Sequence, residues 1–333
     1  MDYGSSSSDV VVSSRVRLAR NINGLPFPDK LSGEEEIYSV LMLGVEQAMS
    51  EITPCDFYKM HEINPLYAQS LVESHLISKD LLGRPYAAVD IAKKGDISVM
   101  INEEDHIRAQ CIMPALDLDT AYEKIVAADK AMAKRLDYAF DTKYGYLTAC
   151  PTNMGAGMRA SFMAFLPALV LTDSINSVLS ALQQLGVTAR GVYGEGSGAQ
   201  GFMYQLSNQA MIGASEEEIL SRMKIIADKV IRNERIARGN LVKAAGVDLQ
   251  DKIMRSYGIL RHAMKLSSQE FMELLGYVKL GVILDYIDIK LEDIEKLITI
   301  SQPAMLCKRE GKKLSAQERD IARAKLVRSQ LTK

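Results

Sequence analysis

Residues 9–21 read DVVVSSRVRLARN. Val and Leu set among Ser and Arg over residues 9–19 follow the partial alternation of a β-strand. Two arginines, Arg15 and Arg17, lie inside it. Three more sit in comparable surroundings: Arg108 in NEEDHIRAQ, Arg159 in CPTNMGAGMRAS and Arg190 in RGVYGEGSGAQG. An arginine is a fixed cation whose planar fork of donors matches phosphate oxygens. Helix surfaces collect arginines at little cost, whereas strand ends and turns carry sites. Five of them converging would make a polyphosphate cradle built from side chains.

Further strand-like runs appear at 96–112, 144–151, 186–193 and 201–207. Helical stretches lie between them: 32–51, where Ser32 and Glu35 form a capping box, and 119–135. Strands and helices do not alternate strictly, so the expected fold is α+β, an antiparallel β-sheet flanked by helices, rather than a doubly wound parallel sheet. From Ser215 onward the character changes. Ser215 with Glu218, Ser267 with Glu270 and Ser315 with Glu318 are further capping boxes, each opening an amphipathic run, and no strand is expected after Asn208. The expected division is a catalytic domain over 1–240 and an α-helical C-terminal domain over 241–333.

The chain has 333 residues, long enough for a full core and two domains. A net charge of −2 gives no bulk pull toward nucleic acid, and the absence of Trp argues against base-stacking platforms. Cys55, Cys111, Cys150 and Cys307 are widely spaced and form no CxxC pair, so neither a zinc site nor a disulfide framework is expected. The N-terminus lacks the pattern of a signal peptide, and no apolar run approaches the roughly 20 residues that span a bilayer. These features point to a soluble cytoplasmic protein with no membrane and no direct nucleic-acid partner.

Four motifs carry the chemistry. GSGAQG at 196–201 matches GxGxxG, but FMYQLSN after it reads as a strand where a dinucleotide fold needs a helix; a glycine-rich lid or a plain surface loop fits better. Asn102-Glu103-Glu104-Asp105-His106 ends the apolar run ISVMI, either as a solvated turn or as a carboxylate site next to Arg108. Cys150 precedes PTNMGAGMRAS, after which a helix is expected; it is either a thiol near a helix start and an arginine, or a small buried hydrophobe. Arg319 and Arg323 are four residues apart on the last helix, an arrangement that serves either an anion pocket or a charged surface.

Taken together and in this order, SSRVRLARN, NEEDHIRAQC, CPTNMGAGMRAS and RGVYGEGS resemble the guanidino phosphotransferase superfamily, which includes creatine and arginine kinases. Only about a dozen residues precede the first motif, and the C-terminal region ends in RDIARA. Both traits are similar to the bacterial protein-arginine kinase branch. The resemblance implies that Ser14, Arg15, Val16, Arg17 and Leu18 form the first ATP-binding segment and that His75 in ESHLIS contacts the nucleotide. It implies further ATP contacts from Arg108, from Arg159, Ala160, Ser161, Phe162 and Met163, and from Arg190, Gly191, Val192, Tyr193, Gly194 and Glu195. Glu104 matches the carboxylate that orients and deprotonates the substrate guanidinium, and Cys150 the reactive cysteine beside it. Arg319, Asp320, Ile321, Ala322, Arg323 and Ala324 match a segment that binds phosphoarginine allosterically. At the lid's last glutamate, a second clamping carboxylate, this chain has Gly198. Three alternatives follow: one carboxylate suffices at lower activity, Glu195 swings in, or catalysis is impaired.

The resemblance thus implies ATP-dependent phosphorylation of arginine side chains in proteins, giving phosphoarginine that marks them for regulated degradation. ATP and Mg²⁺ are the expected cofactors, the ion bound mainly through the nucleotide and without protein ligands. Implied partners are proteins with exposed arginines, among them a heat-shock repressor, together with a zinc-finger-type activator, the Clp protease machinery and a second copy of the chain in a homodimer. Two rivals stand beside it, a kinase for free arginine or another small guanidine and a catalytically impaired phosphoarginine-binding regulator.

Overall fold

The computed structural model describes residues 7–30, 35–84, 86–191, 200–209 and 213–331. In chain order the first part comprises β1 (Val11–Arg20), α1 (Glu35–Ile52), β2 (Cys55–Lys59), α2 (Pro65–Glu73), β3 (Ala88–Ala92), β4 (Ile97–Ile101), β5 (Ile107–Pro114) and α3 (Leu118–Ala133). It continues with the two-residue strands β6 (Phe140–Asp141) and β7 (Gly145–Tyr146), then β8 (Met158–Phe165), α4 (Pro167–Leu171), α5 (Ile175–Gln184), β9 (Val187–Gly191) and β10 (Met203–Asn208). Five helices follow: α6 (Glu216–His262), α7 (Ser268–Ile283), α8 (Leu291–Ile300), α9 (Pro303–Glu310) and α10 (Ala316–Leu331).

Eight strands form one antiparallel sheet in the order β2-β3-β4-β5-β1-β8-β10-β9. Successive side chains of a strand point to opposite faces. On β1, Ser14, Val16 and Leu18 are buried while Arg15 and Arg17 between them are not fully so. The buried set joins Ala109, Ala160, Phe162 and Leu206 in a core closed by α1, α3 and the first half of α6, through residues such as Val45, Ile125 and Ile226. The opposite face of β1, β5 and β8 is left to carry the site.

Several expectations meet the structure as corrections. Residues 96–112 are two strands, β4 and β5, that reverse through Asn102–His106 with Asn102 at φ 56. Of residues 144–151 only Gly145–Tyr146 form a strand, in a two-stranded sheet with β6 and apart from the main sheet; Gly145 has φ 74 and lies so close to Gly155 that a Cβ there would meet its carbonyl oxygen. The stretch after MGAG is β8, not a helix: its buried Phe162 and Phe165 and its pairing with both β1 and β10 make it a central strand. β2 and β3 were not anticipated; β3 (AVDIA) is buried along its whole length and so shows no alternation.

The helical region begins at Ser215, whose hydroxyl and Glu218 cap each other's backbone amides at 3.1 and 2.8 Å. Ser315 and Glu318 repeat the reciprocal box, and Ser267 caps Glu270. Ser32 lies outside the described residues. Among the described residues no strand follows Asn208. The helix α6 passes through residues 240–241 without a break, and its departure from helical backbone comes at Gly246 (φ 32, ψ −109). A second core packs Leu241, Ile253, Phe271, Leu275 and Val327 of these helices against Phe165 and Met203 of the sheet. Asp9, ahead of β1, accepts from Arg235 and Arg238 of α6, tying the N-terminal segment to the same helix. No described helix is long and apolar enough to cross a membrane.

Candidate active site

Antiparallel register brings the arginines together. Arg17 on β1 stands opposite Arg159 on β8, and Arg15 opposite Ser161. On the other flank Arg17 faces Gln110 of β5, with Arg108 two residues along the same face. Further out, Gln205 of β10 pairs with Met163 and with Arg190 of β9, which extends the face to the sheet edge. Partners directly opposite in a ladder share a face, so Arg15, Arg17, Arg108, Arg159 and Arg190 all project to the side away from the core. Arg159 donates to the Ser207 hydroxyl at 2.8 Å.

Alternation also divides the matched ATP segments. Arg15, Arg17, Arg159, Ser161 and Met163 face the cleft side. Val16, Leu18, Ala160 and Phe162 belong to the core. The Ser14 hydroxyl donates to the Ala115 carbonyl at 2.7 Å and accepts from the Asp117 amide at 2.9 Å, which anchors the start of α3. Val192, Tyr193, Gly194, Glu195 and Gly198 lie outside the described residues, and Gly191 ends β9.

Arginines crowd this face. Burial, and then Arg108 and Arg159, pull Arg15 down to about 10; burial and its arginine neighbours hold Arg17 well below the ordinary value too. Among the described residues the buried Nε atoms of both find no hydrogen-bond partner. Buried donors without acceptors beside mutually repelling cations are costly. An anion with several oxygens removes both costs at once.

The acid run at the β4–β5 turn is not solvated: Asn102, Glu103, Asp105 and His106 are all buried. Its three carboxylates have separate tasks. Glu103 accepts from Arg108 Nη1 at 2.5 and 2.6 Å and from the Ser78 hydroxyl at 2.6 Å, which fixes the Arg108 fork. Burial alone would raise the Glu103 pKa, but Arg108 outweighs it and holds the carboxyl below the usual range. Asp105 accepts from Asn21 Nδ2 at 2.6 Å and from the Ala149 amide at 2.7 Å. It thereby ties the Cys150 segment to the end of β1. Glu104 remains, half-buried in the cleft, with its pKa raised by burial and then by Asp105, and with the Cys150 thiol hydrogen-bonded to it.

Cys150 therefore reaches the site through a loop rather than a long helix; it precedes a single three-residue turn of 3₁₀ helix, Pro151–Asn153. Glu104 and Cys150 line a cleft of about 270 Å³ together with Arg17, Arg108, Arg159 and Arg190. Asp80, which sequence reasoning missed, lines it too. Nothing in KDLL marks Asp80 as more than a helix-start acid, and only folding brings it to Glu104. Arg15 and Ser161 belong to an adjoining, mostly apolar cleft of about 410 Å³ that also contains His75. Among the described residues no group of three His, Cys, Asp or Glu side chains is placed to hold a metal ion.

The Arg319–Ala324 segment lies elsewhere, on α10. Arg323 is 1 % exposed and donates to the Ser301 and Leu266 carbonyls at 3.0 and 2.7 Å and to Asp320 at 2.9 Å. Arg319 donates to the Leu314 carbonyl at 3.0 Å. Ala324 is buried, Ala322 is partly so, and Ile321 is exposed. Nearby, the Glu73 carboxylate caps α9 through the Ala304 and Met305 amides at 2.9 and 3.0 Å.

Comparison with known proteins bears on the family. Residues 37–237 match the ATP:guanido phosphotransferase C-terminal catalytic domain, and residues 246–333 the protein-arginine kinase McsB C-terminal domain. A protein-arginine kinase of Caldanaerobacter subterraneus subsp. tengcongensis is 42% identical, covering 98% of each chain. One from Geobacillus stearothermophilus is 44% identical over 98% of this chain and 91% of its own. Lombricine kinase aligns with a TM-score of 0.61 at 24% identity over 70% of this chain and 68% of its own. The substrate-free duplicated taurocyamine kinase from Schistosoma mansoni aligns at 0.60 and 21% identity, over 93% and 48%. These two structures bear on the fold alone. With both regions matched and relatives above 40% identity along almost the whole length, the chain belongs to the protein-arginine kinases, within the ATP:guanido phosphotransferase family.

Proposed function

We propose that this chain transfers the γ-phosphoryl group of ATP to arginine side chains of proteins, and that the resulting phosphoarginine marks those proteins for regulated degradation. The observation that carries the chemistry is the placement of Glu104 and Cys150 in one cleft with Arg17, Arg108, Arg159 and Arg190. A guanidinium has a pKa above about 12 and no available lone pair, so it must lose a proton as it attacks phosphorus. Glu104 is the group to accept that proton while holding the fork, and its raised pKa makes it a stronger base than an exposed carboxylate. Asp80 and Asp105 line the same cleft. The carboxylates of this cleft are the groups to hold the substrate cation and the arginines those to hold the triphosphate.

The transferring phosphoryl group is metaphosphate-like, with charge spread over its equatorial oxygens. The arginine forks serve that charge without rearranging, because Glu103 holds Arg108 and Ser207 holds Arg159. The donor set fits a Mg²⁺ ion carried on the nucleotide's own phosphates, where it would add further neutralising charge. Protein substrates, an activator, a protease partner, dimerisation and phosphoarginine binding around Arg319 and Arg323 remain part of the proposal. The last of these is supported by two arginines and two backbone amides, now capped by Glu73, near one another.

Glu104→Gln tests the assignment. Phosphoryl transfer falls about 10²–10⁴-fold while ADP affinity stays near wild type. In the wild type the acid limb of kcat/KM lies above 4.5, the ordinary value for glutamate, because only the ionised carboxylate accepts the proton and its pKa is raised. Undiminished transfer in the variant would remove Glu104 from the chemistry.

A further inference from the structure

The cleft next to the phosphate face has a wall that comes from the C-terminal helices. Its floor is the sheet, through Arg15, Ser161 and Gln205, and its far side is Met272 of α7 with Lys296 and Thr299 of α8. The helix is held there firmly. Ile294 and Leu297 are buried on one side, and Glu295 accepts from Lys279 Nζ at 2.8 Å, a lysine only 2 % exposed. Arg323 adds a bond to the Ser301 carbonyl, immediately past the end of α8. The polar residues that α8 brings to the cleft are Lys296, Thr299 and Glu295, the last with its Oε1 already bonded to Lys279.

The two clefts share one sheet face. A nucleotide whose outer phosphates meet Arg17, Arg108, Arg159 and Arg190 must lodge its base and ribose alongside. The neighbouring cleft is mostly apolar, about 410 Å³, and is lined in part by Arg15, which suits a nucleoside. We infer that α8 forms the outer wall of the nucleoside site, with Thr299 and Lys296 contacting the ribose and the phosphate nearest it. The C-terminal helical region is then part of the nucleotide site, and the arginine face alone does not account for ATP affinity. This inference rests on the arginine face being the triphosphate cradle.

ADP titration calorimetry on the full-length chain tests it with five proteins. Thr299→Val combined with Lys296→Ala should weaken ADP binding about tenfold, the worth of one or two polar contacts. Thr299→Ser, which keeps the hydroxyl, and Asp293→Ala, elsewhere on α8, should bind like wild type. Arg17→Met should lose most affinity. If the double variant binds as tightly as wild type or more tightly while Arg17→Met fails, α8 is not a wall of the site and the cradle stands. If Arg17→Met also binds normally, the cradle falls and this inference with it. Urea unfolding of each variant confirms that α8 remains packed.

Discussion

Arg17 and Arg20 are three residues apart on one strand and do opposite work. Arg20 is 1 % exposed; it donates to Asp129 at 2.9 Å and Glu216 at 3.3 Å and stacks on Tyr146 at 3.5 Å. Arg17 projects from the other face, where burial and the neighbouring Arg15, Arg108 and Arg159 disfavour its charged form and outweigh the pull of Glu103. Replacing Arg20 leaves Asp129 buried without its cation, so Arg20→Met should cost about 3–5 kcal/mol. Arg17→Met removes a repelled charge and should leave the unliganded protein at least as stable, while abolishing the rise in Tm that ADP produces. Thermal unfolding with and without ADP reads both. The contrast was only half legible in SSRVRLARN: alternation indicated a strand, but which arginines face phosphate depends on which face the helices cover, and that is decided by α1, α3 and α6.

At the scale of the element, the β4–β5 turn shows why three consecutive acids are not redundant. A turn that reverses between two central strands sends its side chains in different directions, so Glu103 reaches Arg108, Asp105 reaches Asn21 and the Ala149 amide, and Glu104 reaches the cleft. Asp105→Asn cannot accept from both donors as strongly and loosens the segment that carries Cys150. It should lower kcat more than it raises KM for ATP, since the hydrogen bonds Asp105 accepts come from Asn21 and the Ala149 amide and not from the arginines; steady-state kinetics separates the two, and an equal rise in KM would contradict this role. The acid run was visible in sequence as a candidate site, as were β1, β9 and β10. The strand β8 was not, because MGAGMRAS carries the small and flexible residues of a helix entrance. The link between Asp105 and Ala149 spans 44 residues, and nothing local signals it.

For the whole molecule, the helical region is no appendage. Phe165, Ala168 and Met203 of the sheet side pack into the same core as Phe271, Leu275 and Val327, and Glu73 of α2 caps α9 across 231 residues. A fragment ending at residue 245 would expose that apolar surface and unpair the Glu73 carboxylate. It should aggregate or unfold at lower temperature than the full chain and bind ADP poorly; a monodisperse fragment with full affinity would show the two regions to be energetically separate. The capping boxes at Ser215, Ser267 and Ser315 announced the helical region correctly, while the uninterrupted passage of α6 through residue 240 was not legible because helix periodicity carries no mark of a domain boundary.

The central claim is that Glu104 and the arginine face cooperate to phosphorylate arginine in proteins. Incubation with Mg²⁺-ATP and an arginine-rich unfolded protein, with free arginine in a parallel reaction, followed by mass spectrometry under conditions that preserve the acid-labile P–N bond, addresses it directly. The account predicts phosphoarginine on the protein, far less product from free arginine, and neither with Glu104→Gln. Product from free arginine alone, or no product from the wild type, would contradict it.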